Sequence, residues 1–169
     1  MKRGTVLYPG TFDPVTLGHL DIIQRASRLF LEVIVGIAVN TRKRPLLSVE
    51  QRQLLLETAT RDLPNVKIVA YQGMTVEYAH TIGAQTLLRG LRNPSDFQIE
   101  FQMAITNRTL APDLETVFFP SAPHYTFINS CLVREVAASG GEISPFIPAS
   151  IKEILMDMLK KIRTNEEKL

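Results

Sequence analysis

A histidine ends a glycine-containing segment near the start of the chain, Tyr-Pro-Gly-Thr-Phe-Asp-Pro-Val-Thr-Leu-Gly-His over residues 8–19. The segment is neither a P-loop nor a G-x-G-x-x-G motif, so it lacks the usual phosphate and dinucleotide fingerprints. In the first turn of a helix, His19 would meet the positive end of the helix dipole, which favours a neutral imidazole. Beside free backbone N–H groups, a neutral imidazole can donate a hydrogen bond to an anion. The spacing alone fits an internally bonded, buried histidine equally well, but the position after the first predicted strand favours a phosphate site.

Basic residues follow two other predicted strands. The run Arg42, Lys43 and Arg44 fits a solvated basic loop, but it also fits a mobile lysine that reaches over bound phosphates. Arg89 and Arg92 flank a glycine after the fourth strand, where two guanidinium groups can hold phosphates in bidentate fashion. The alternative is a surface turn with salt-bridged arginines, which fits less well because Arg89 ends an apolar strand.

Two residues beside these arginines have roles that the sequence leaves open. Gly90 has no side chain, so its backbone can approach a base or a ribose closely. Glu100 lies on the helix that follows and can accept a hydrogen bond from a ribose or an adenine, or simply pair with an arginine.

A second helix start is predicted after the fifth strand. Asn129 is a competent N-cap, and Ser130 and Cys131 then fall in the first turn. The N–H groups of that turn are suited to the β- and γ-phosphates of a nucleotide. A helix start lowers a thiol pKa, but no Cys-His-Asn order accompanies Cys131, so we expect no nucleophilic role. His80 and His124 lack metal-ligand spacing, which predicts no protein-bound zinc.

Short apolar runs alternate with segments of helical period, and these elements must position the residues above. The predicted strands are 4–8, 32–39, 66–71, 85–89 and 115–119, and the predicted helices are 17–30, 49–62, 75–82, 96–110, 130–138 and 151–163. This order predicts an α/β fold with a doubly wound, Rossmann-like parallel sheet of five strands and helices on both faces. Ligands bind such a sheet beyond the carboxyl ends of its strands. Capping boxes beginning at Ser48, Ser95 and Ser150 support three of the helix starts.

The composition is that of a globular protein. Apolar residues make up 45% of the 169 residues, which predicts a single domain over 1–163 with a charged tail over 164–169. Lys and Arg number 19 against 17 Asp and Glu, and this balance disfavours a nucleic-acid binder. No apolar run approaches a membrane helix or a signal peptide, and Cys131 is the single cysteine. These features together predict a cytoplasmic protein without membrane contact.

The four chemistry-bearing segments together resemble the nucleotidylyltransferase superfamily of the Thr/His-x-Gly-His type. The sequence Arg-Gly-Leu-Arg over 89–92, followed by Asp96 and Glu100, narrows the resemblance to the family of bacterial phosphopantetheine adenylyltransferases over about residues 5–160. The resemblance implies transfer of AMP from ATP to 4′-phosphopantetheine, giving dephospho-coenzyme A and pyrophosphate. It also implies Mg²⁺ delivered with ATP rather than held by a protein cage, and a homohexamer.

The resemblance carries over a set of site residues. It implies catalytic roles for His19, Lys43 and Arg92. It implies binding of the acceptor substrate by Thr11, Lys43, Thr75 and Arg89. It implies contacts to ATP from Thr11, Phe12, His19, Gly90, Leu91, Arg92, Glu100, Tyr125, Thr126, Phe127, Ile128, Asn129, Ser130 and Cys131.

Two sites depart from the family pattern. Asn129 and Cys131 stand where the family usually has hydroxyl residues, but the backbone N–H groups remain. Thr75 stands where relatives vary among apolar types, which predicts a contact through its backbone.

The implied chemistry asks little of the protein. A phosphate monoester is already ionised at neutral pH, so no general base is needed, and catalysis reduces to positioning and to donors aimed at developing charge. Two other functions stay open. One is a different adenylyl- or cytidylyltransferase, which a choice of acceptors would reveal. The other is a nonenzymatic nucleotide-sensing module, which would bind ATP without releasing pyrophosphate.

Overall fold

The computed structural model describes residues 3–39 and 44–166 and contains a five-stranded parallel sheet of order β3-β2-β1-β4-β5. The strands are β1 Arg3–Gly10, β2 Phe30–Ala38, β3 Val66–Tyr71, β4 Thr86–Leu91 and β5 Glu115–Pro120. The helices are α1 Leu17–Leu29, α2 Val49–Thr60, α3 Thr75–Thr81, α4 Pro94–Leu110, α5 Ser130–Ala138 and α6 Lys152–Glu166. Short 3₁₀ turns lie at Pro123–Tyr125, Ser144–Phe146 and Ala149–Ile151. The predicted fold class and the predicted order of strands and helices along the chain are confirmed.

Successive side chains of the central strands enter two hydrophobic clusters, because neighbours along a strand point to opposite faces. Val6 and Tyr8 of β1 belong to the larger cluster, which includes buried residues of α1, α2, α5 and α6. Leu7, between them, belongs to the smaller cluster on the other face with Val76 and Ala79 of α3. Helices on both faces therefore explain why the strands lack an alternating polar pattern.

The three predicted capping boxes have different outcomes. Ser48 does cap α2, since its hydroxyl accepts from the backbone N–H of Gln51. Ser95 does not cap α4: Asn93 is the N-cap, and its side-chain oxygen accepts from the N–H of Asp96 at 2.8 Å. Proline needs no N–H partner and its φ suits a first helical position, so α4 begins one residue before Ser95. Ser150 lies within the 3₁₀ turn that precedes α6.

Within residues 3–39 and 44–166, none of the helices combines the length and the apolar character that a bilayer span requires.

Candidate active site

A cavity of about 930 Å³ opens at the carboxyl ends of β1 and β4, bordered by the starts of α1 and α5 and by the second and third turns of α4. Most of the predicted site residues line it: Thr11, Phe12, His19, Thr75, Arg89, Gly90, Arg92, Glu100, Ile128, Asn129, Ser130 and Cys131. The other four described ones, Leu91, Tyr125, Thr126 and Phe127, do not belong to its lining. Lys43 and its neighbour Arg42 lie outside the described residues. The crevice predicted from the parallel sheet is therefore present at the expected edge.

The Thr-x-Gly-His motif is itself a capping box. The hydroxyl of Thr16 accepts from the backbone N–H of His19, while the backbone N–H of Thr16 donates to Nδ1 of His19 at 3.1 Å. Histidine thus takes the place that Glu or Gln occupies in an ordinary capping box. Because Nδ1 accepts a backbone N–H, the neutral ring carries its proton on Nε2. His19 lines the cavity, and this Nε2–H is the ring donor that remains for a ligand.

His19 is neutral at physiological pH. Burial, and then the positive charge of Arg92, lower the pKa of His19 from 6.5 to about 4. The ring is also fixed sideways by Phe12, whose ring meets it edge-on with centroids 5.0 Å apart. Both the tautomer and the orientation of the imidazole are therefore set before any ligand binds.

Phe12 holds a strained position beside the histidine. Its φ is 51°, in the left-handed region that bulky residues rarely adopt, and such strain concentrates at functional sites. Its ring is buried and also packs edge-on against Tyr8. If Phe12 contacts a ligand, we therefore expect its backbone rather than its ring to make the contact.

Asp13 joins the motif to two distant segments. Its buried carboxylate accepts from the backbone N–H groups of Leu46 and Leu47, both at 2.9 Å. Arg134 of α5 donates to the backbone carbonyl of Asp13 at 2.5 Å and to its carboxylate at 3.3 Å. The turn before α1 is thereby tied to α5 and to the chain just after residues 40–43.

A second buried residue anchors the same turn. Arg52 of α2 donates to the backbone carbonyl of Thr11 at 2.9 Å and to the carbonyls of Leu47 and Ser48. Its side chain is among the few buried polar ones. Arg52 thus holds the backbone of Thr11 in place where this residue lines the cavity.

The two cavity glycines Gly18 and Gly90 differ in whether the surrounding structure would tolerate a side chain. A Cβ on Gly90 would lie 2.3 Å from Cδ1 of Ile22, so α1 packs on β4 only because Gly90 has none. A Cβ on Gly18 would meet Thr16 and Tyr125 at an ordinary 3.7 Å. Packing within the protein therefore requires glycine at position 90, whereas it gives no such reason for Gly18, which also lines the cavity.

Both cavity arginines of the Arg-Gly-Leu-Arg segment contact carboxylates of α4. Arg89 donates through Nε and Nη2 to Glu100 at 2.5 and 2.7 Å, and through Nη1 to the carbonyl of Pro9 at 3.1 Å. Arg92 donates through Nε and Nη2 to Asp96 at 2.8 and 3.1 Å. Of the two roles that the sequence leaves open for Glu100, the structure shows the pairing with an arginine.

The start of α5 completes the cavity wall. Asn129 caps the helix through the N–H of Leu132, as predicted, and the hydroxyl of Ser130 donates to the carbonyl of Pro14. Cys131 is exposed, and its Sγ lies 3.2 Å from a carboxylate oxygen of Glu135. Hydrogen bonding and charge from Glu135 raise the pKa of the Cys131 thiol. The expectation that a helix start lowers this pKa is wrong, because a carboxylate one turn away outweighs it.

Two arginines outside the set of predicted site residues also line the cavity. Arg134 follows Ser130 by one helical turn, so its place on α5 can be inferred from the helix start. Arg44 ends the basic run and reaches the cavity beside Pro45. Four arginines of the described residues thus line the same cavity as a fixed neutral imidazole, an arrangement that can bind a polyphosphate and stabilise charge developing on one phosphorus.

Comparisons with known proteins agree with this geometry. A family model described as cytidylyltransferase-like matches residues 7–136. A phosphopantetheine adenylyltransferase of Lachnoclostridium phytofermentans is 47% identical over 157 residues, which cover 93% of this chain and 95% of that protein. One of a Synechococcus species is 52% identical over 145 residues, covering 86% and 91%.

A solved structure supports the fold. A protein of Vibrio parahaemolyticus described as a nicotinate-nucleotide adenylyltransferase superposes with a TM-score of 0.73 and 20% identity, over 93% of this chain and 94% of that one. At this identity the likeness concerns the fold alone.

Proposed function

The chain belongs to the phosphopantetheine adenylyltransferases, within the cytidylyltransferase-like family, and from this premise we propose how its residues transfer AMP from ATP to 4′-phosphopantetheine. A phosphate oxygen of the acceptor attacks the α-phosphorus of ATP in line. The new P–O bond forms as the bond to the β-phosphate breaks, and pyrophosphate leaves. The acceptor phosphate is already ionised, so the chain need only align the two substrates and stabilise charge.

His19 stabilises the charge that develops on the α-phosphoryl group. Its Nε2–H is the donor left available by the Thr16 capping box, and this geometry is the single observation that carries the proposal. Because the pKa is lowered, the imidazole is neutral, and its Nε2–H donates without prior protonation of the ring. A fixed dipole of this kind needs no reorganisation during the reaction.

The arginines supply the binding of both phosphate groups. A guanidinium has five N–H donors, and the three bonds of Arg89 to Glu100 and Pro9 leave two for the acceptor phosphate. Arg92, which Asp96 holds, serves ATP together with the start of α5. The family resemblance assigns Lys43 a contact with the phosphates, and Asp13 holds the chain that follows it at Leu46.

Magnesium would be held by the triphosphate and its own waters. Asp13 and Glu100 are the carboxylates that line the described cavity, and their oxygens already accept from backbone N–H groups and arginines. Mg²⁺ commonly keeps several waters and takes few protein ligands at phosphate sites. When bound, the ion would supply charge neutralisation to the leaving pyrophosphate.

The chain assembles into a homo-oligomer, a hexamer by the family resemblance. None of the 17 residues of α4 is buried, although a surface helix ordinarily buries one apolar face. Its exposed large apolar side chains are Phe97, Ile99, Phe101, Met103, Ile105 and Leu110. Phe97, Phe101 and Ile105 lie on one side of the helix and Ile99, Met103 and Leu110 on the other, and exposed apolar surface of this extent fits contact with a second copy of the chain. ATP as a substrate supports a cytoplasmic location.

The function is tested by pyrophosphate release with ATP and one acceptor at a time: phosphopantetheine, nicotinamide mononucleotide or glycerol phosphate. We expect release with phosphopantetheine alone. Release with another acceptor would indicate a different member of the superfamily. Binding of ATP without release from any acceptor would indicate a sensing module.

A further inference from the structure

Two hydroxyl groups meet at the edge of the cavity that α3 borders. Tyr71 is the last residue of β3 and Thr75 the first of α3, and their oxygens Oη and Oγ1 lie 2.8 Å apart. Thr75 is half-buried and lines the cavity. Tyr71 is 5% exposed. A buried side chain thus holds the hydroxyl of a cavity residue.

The ring of Tyr71 is fixed on both sides. It stacks on Tyr78 with centroids 4.4 Å apart and an interplanar angle of 7°. A Cβ on Gly36 of β2 would lie 2.9 Å from an atom of the ring, so the ring occupies the space that this glycine leaves. The position of the phenol oxygen is therefore set by packing and does not depend on a ligand.

The direction of the hydrogen bond follows from burial. Within the described residues, Oγ1 of Thr75 is the hydrogen-bond partner that the structure gives to the Tyr71 phenol. Burial raises the pKa of Tyr71, so the phenol keeps its proton at neutral pH. A buried phenol proton requires an acceptor, which Thr75 Oγ1 provides. The hydroxyl proton of Thr75, a residue that lines the cavity, is then available to another acceptor.

We propose that Tyr71 is a positioning residue, which orients the Thr75 hydroxyl as a hydrogen-bond donor to an oxygen of the acceptor substrate. This inference rests on the proposed function. It assigns Thr75 a side-chain role in place of the backbone contact expected from the sequence. The oxygen belongs either to the phosphate or to an amide carbonyl of the phosphopantetheine acceptor, and both accept a hydrogen bond in the same way.

The test compares two single-atom changes in stacked rings. Tyr71→Phe removes the hydroxyl that holds Thr75, whereas Tyr78→Phe removes a neighbouring hydroxyl and keeps the stack. For Tyr71→Phe we expect the KM for the acceptor to rise about 3- to 10-fold, with kcat and the KM for ATP unchanged. For Tyr78→Phe we expect no change in any of the three.

A double-mutant cycle separates positioning from general packing. Thr75→Val removes the proposed donor, so adding Tyr71→Phe to it should raise the KM for the acceptor no further. Thr75→Ser keeps the donor and should retain most of the wild-type affinity. Additive effects would overturn the proposal, as would equal effects of Tyr71→Phe and Tyr78→Phe or a fall in kcat that follows a lowered Tm.

Two further readouts complete the experiment. Butyl phosphate, used as a competitive inhibitor, carries a phosphate but no amide. A weaker Ki for it with Tyr71→Phe would assign the contact to the phosphate, and an effect confined to the full acceptor would assign it to the amide. Failure of the proposed function is distinguishable from failure of the Tyr71 proposal, because in the former case the wild-type protein itself would release no pyrophosphate with phosphopantetheine.

Discussion

Helices α1 and α4 both border the cavity, but the rest of the protein holds them in opposite ways. Helix α1 packs Ile22, Ile23 and Ala26 into the main hydrophobic cluster, and its first turn is closed by the Thr16 capping box. Helix α4 buries no residue and is joined to the site by two carboxylate–arginine pairs. The hydrophobic core that holds α1 therefore sets the geometry of His19. The geometry of Arg89 and Arg92 depends instead on their partly exposed ion pairs with Glu100 and Asp96 of α4.

This difference separates two kinds of contribution. A residue fixed by the core can act as a rigid dipole on the transition state, and its loss should lower kcat. Residues fixed by partly exposed ion pairs should act mainly on substrate binding and respond to salt. Variants on the two helices can therefore be told apart by which kinetic constant changes.

The largest effect is expected at the α1 side. His19→Ala removes the fixed Nε2 donor, so kcat should fall by about 10²–10³ while the KM for ATP changes little. His80→Ala is the matched control, because His80 pairs with Asp113 outside the cavity. Steady-state kinetics measure both, and near-wild-type turnover of His19→Ala would remove the residue from the mechanism.

The pH dependence of the same residue has a definite sign. The folded protein lowers the pKa of His19 to about 4, so between that value and 6.5 the unfolded chain binds more protons. Its contribution to stability is therefore present above pH 6.5 and is lost as the pH falls toward 4. Urea unfolding across this pH range should show the loss in wild type and a weaker one in His19→Gln. Because the imidazole is already neutral at physiological pH, His19 does not titrate above pH 7. Any fall in kcat toward high pH should therefore be the same in His19→Gln as in the wild type.

The basic loop should have the next largest effect. Lys43→Ala should lower kcat by about 10²-fold, the cost of one donor to the transition state, and Arg42→Ala or Arg44→Ala by less than about tenfold. Arg44 lines the cavity and tests this distinction directly. Equal losses in all three variants would show that the loop acts as diffuse positive charge.

On α4, Glu100→Gln should change binding more than turnover. The variant weakens the bidentate contact that holds Arg89, so the KM for the acceptor should rise about 3- to 10-fold, as for one charge-assisted hydrogen bond. Asp96→Asn, its counterpart at Arg92, should instead raise the KM for ATP. A rise in the KM for ATP with Glu100→Gln would show that this carboxylate contacts the nucleotide.

The exposed apolar side chains of α4 should matter for assembly and little for chemistry. Ile99→Glu should lower the mass measured by light scattering, because a charge disrupts an apolar subunit contact, and should change kcat by about twofold at most. Leu54→Glu on α2 is the control, since it is also an exposed apolar helix residue. A mass that both variants leave unchanged would place the contact elsewhere.

Much of this arrangement is predictable from the chain itself. Uninterrupted apolar strands and alternating helices are sufficient to predict the parallel sheet, and the sheet then places the Arg89 and Asn129 segments at one edge. The contact between Cys131 and Glu135 is also within reach, because residues four apart share a helix face. The capping role of His19 is harder to predict, because Glu or Gln is the usual third residue of the box.

The contacts of Asp13 could not be predicted. Its carboxylate binds backbone N–H groups of Leu46 and Leu47, more than thirty residues away, and every non-proline residue offers such a group. The contact therefore carries no sequence signal of its own. The Ser95 capping box failed for a local reason, since two capping residues compete and Pro94 favours the earlier start.

The smallest effect is expected at Cys131, in the first turn of α5. The proposed reaction needs no covalent intermediate, and backbone N–H groups at the start of α5 do not depend on the side chain. Cys131→Ser should therefore keep kcat within a few-fold. Because Glu135 raises the thiol pKa, wild-type protein should react slowly with iodoacetamide despite the exposure of the thiol, and Glu135→Gln should speed the reaction. A Cys131→Ser enzyme that binds ATP but releases no pyrophosphate would return the thiol to the mechanism.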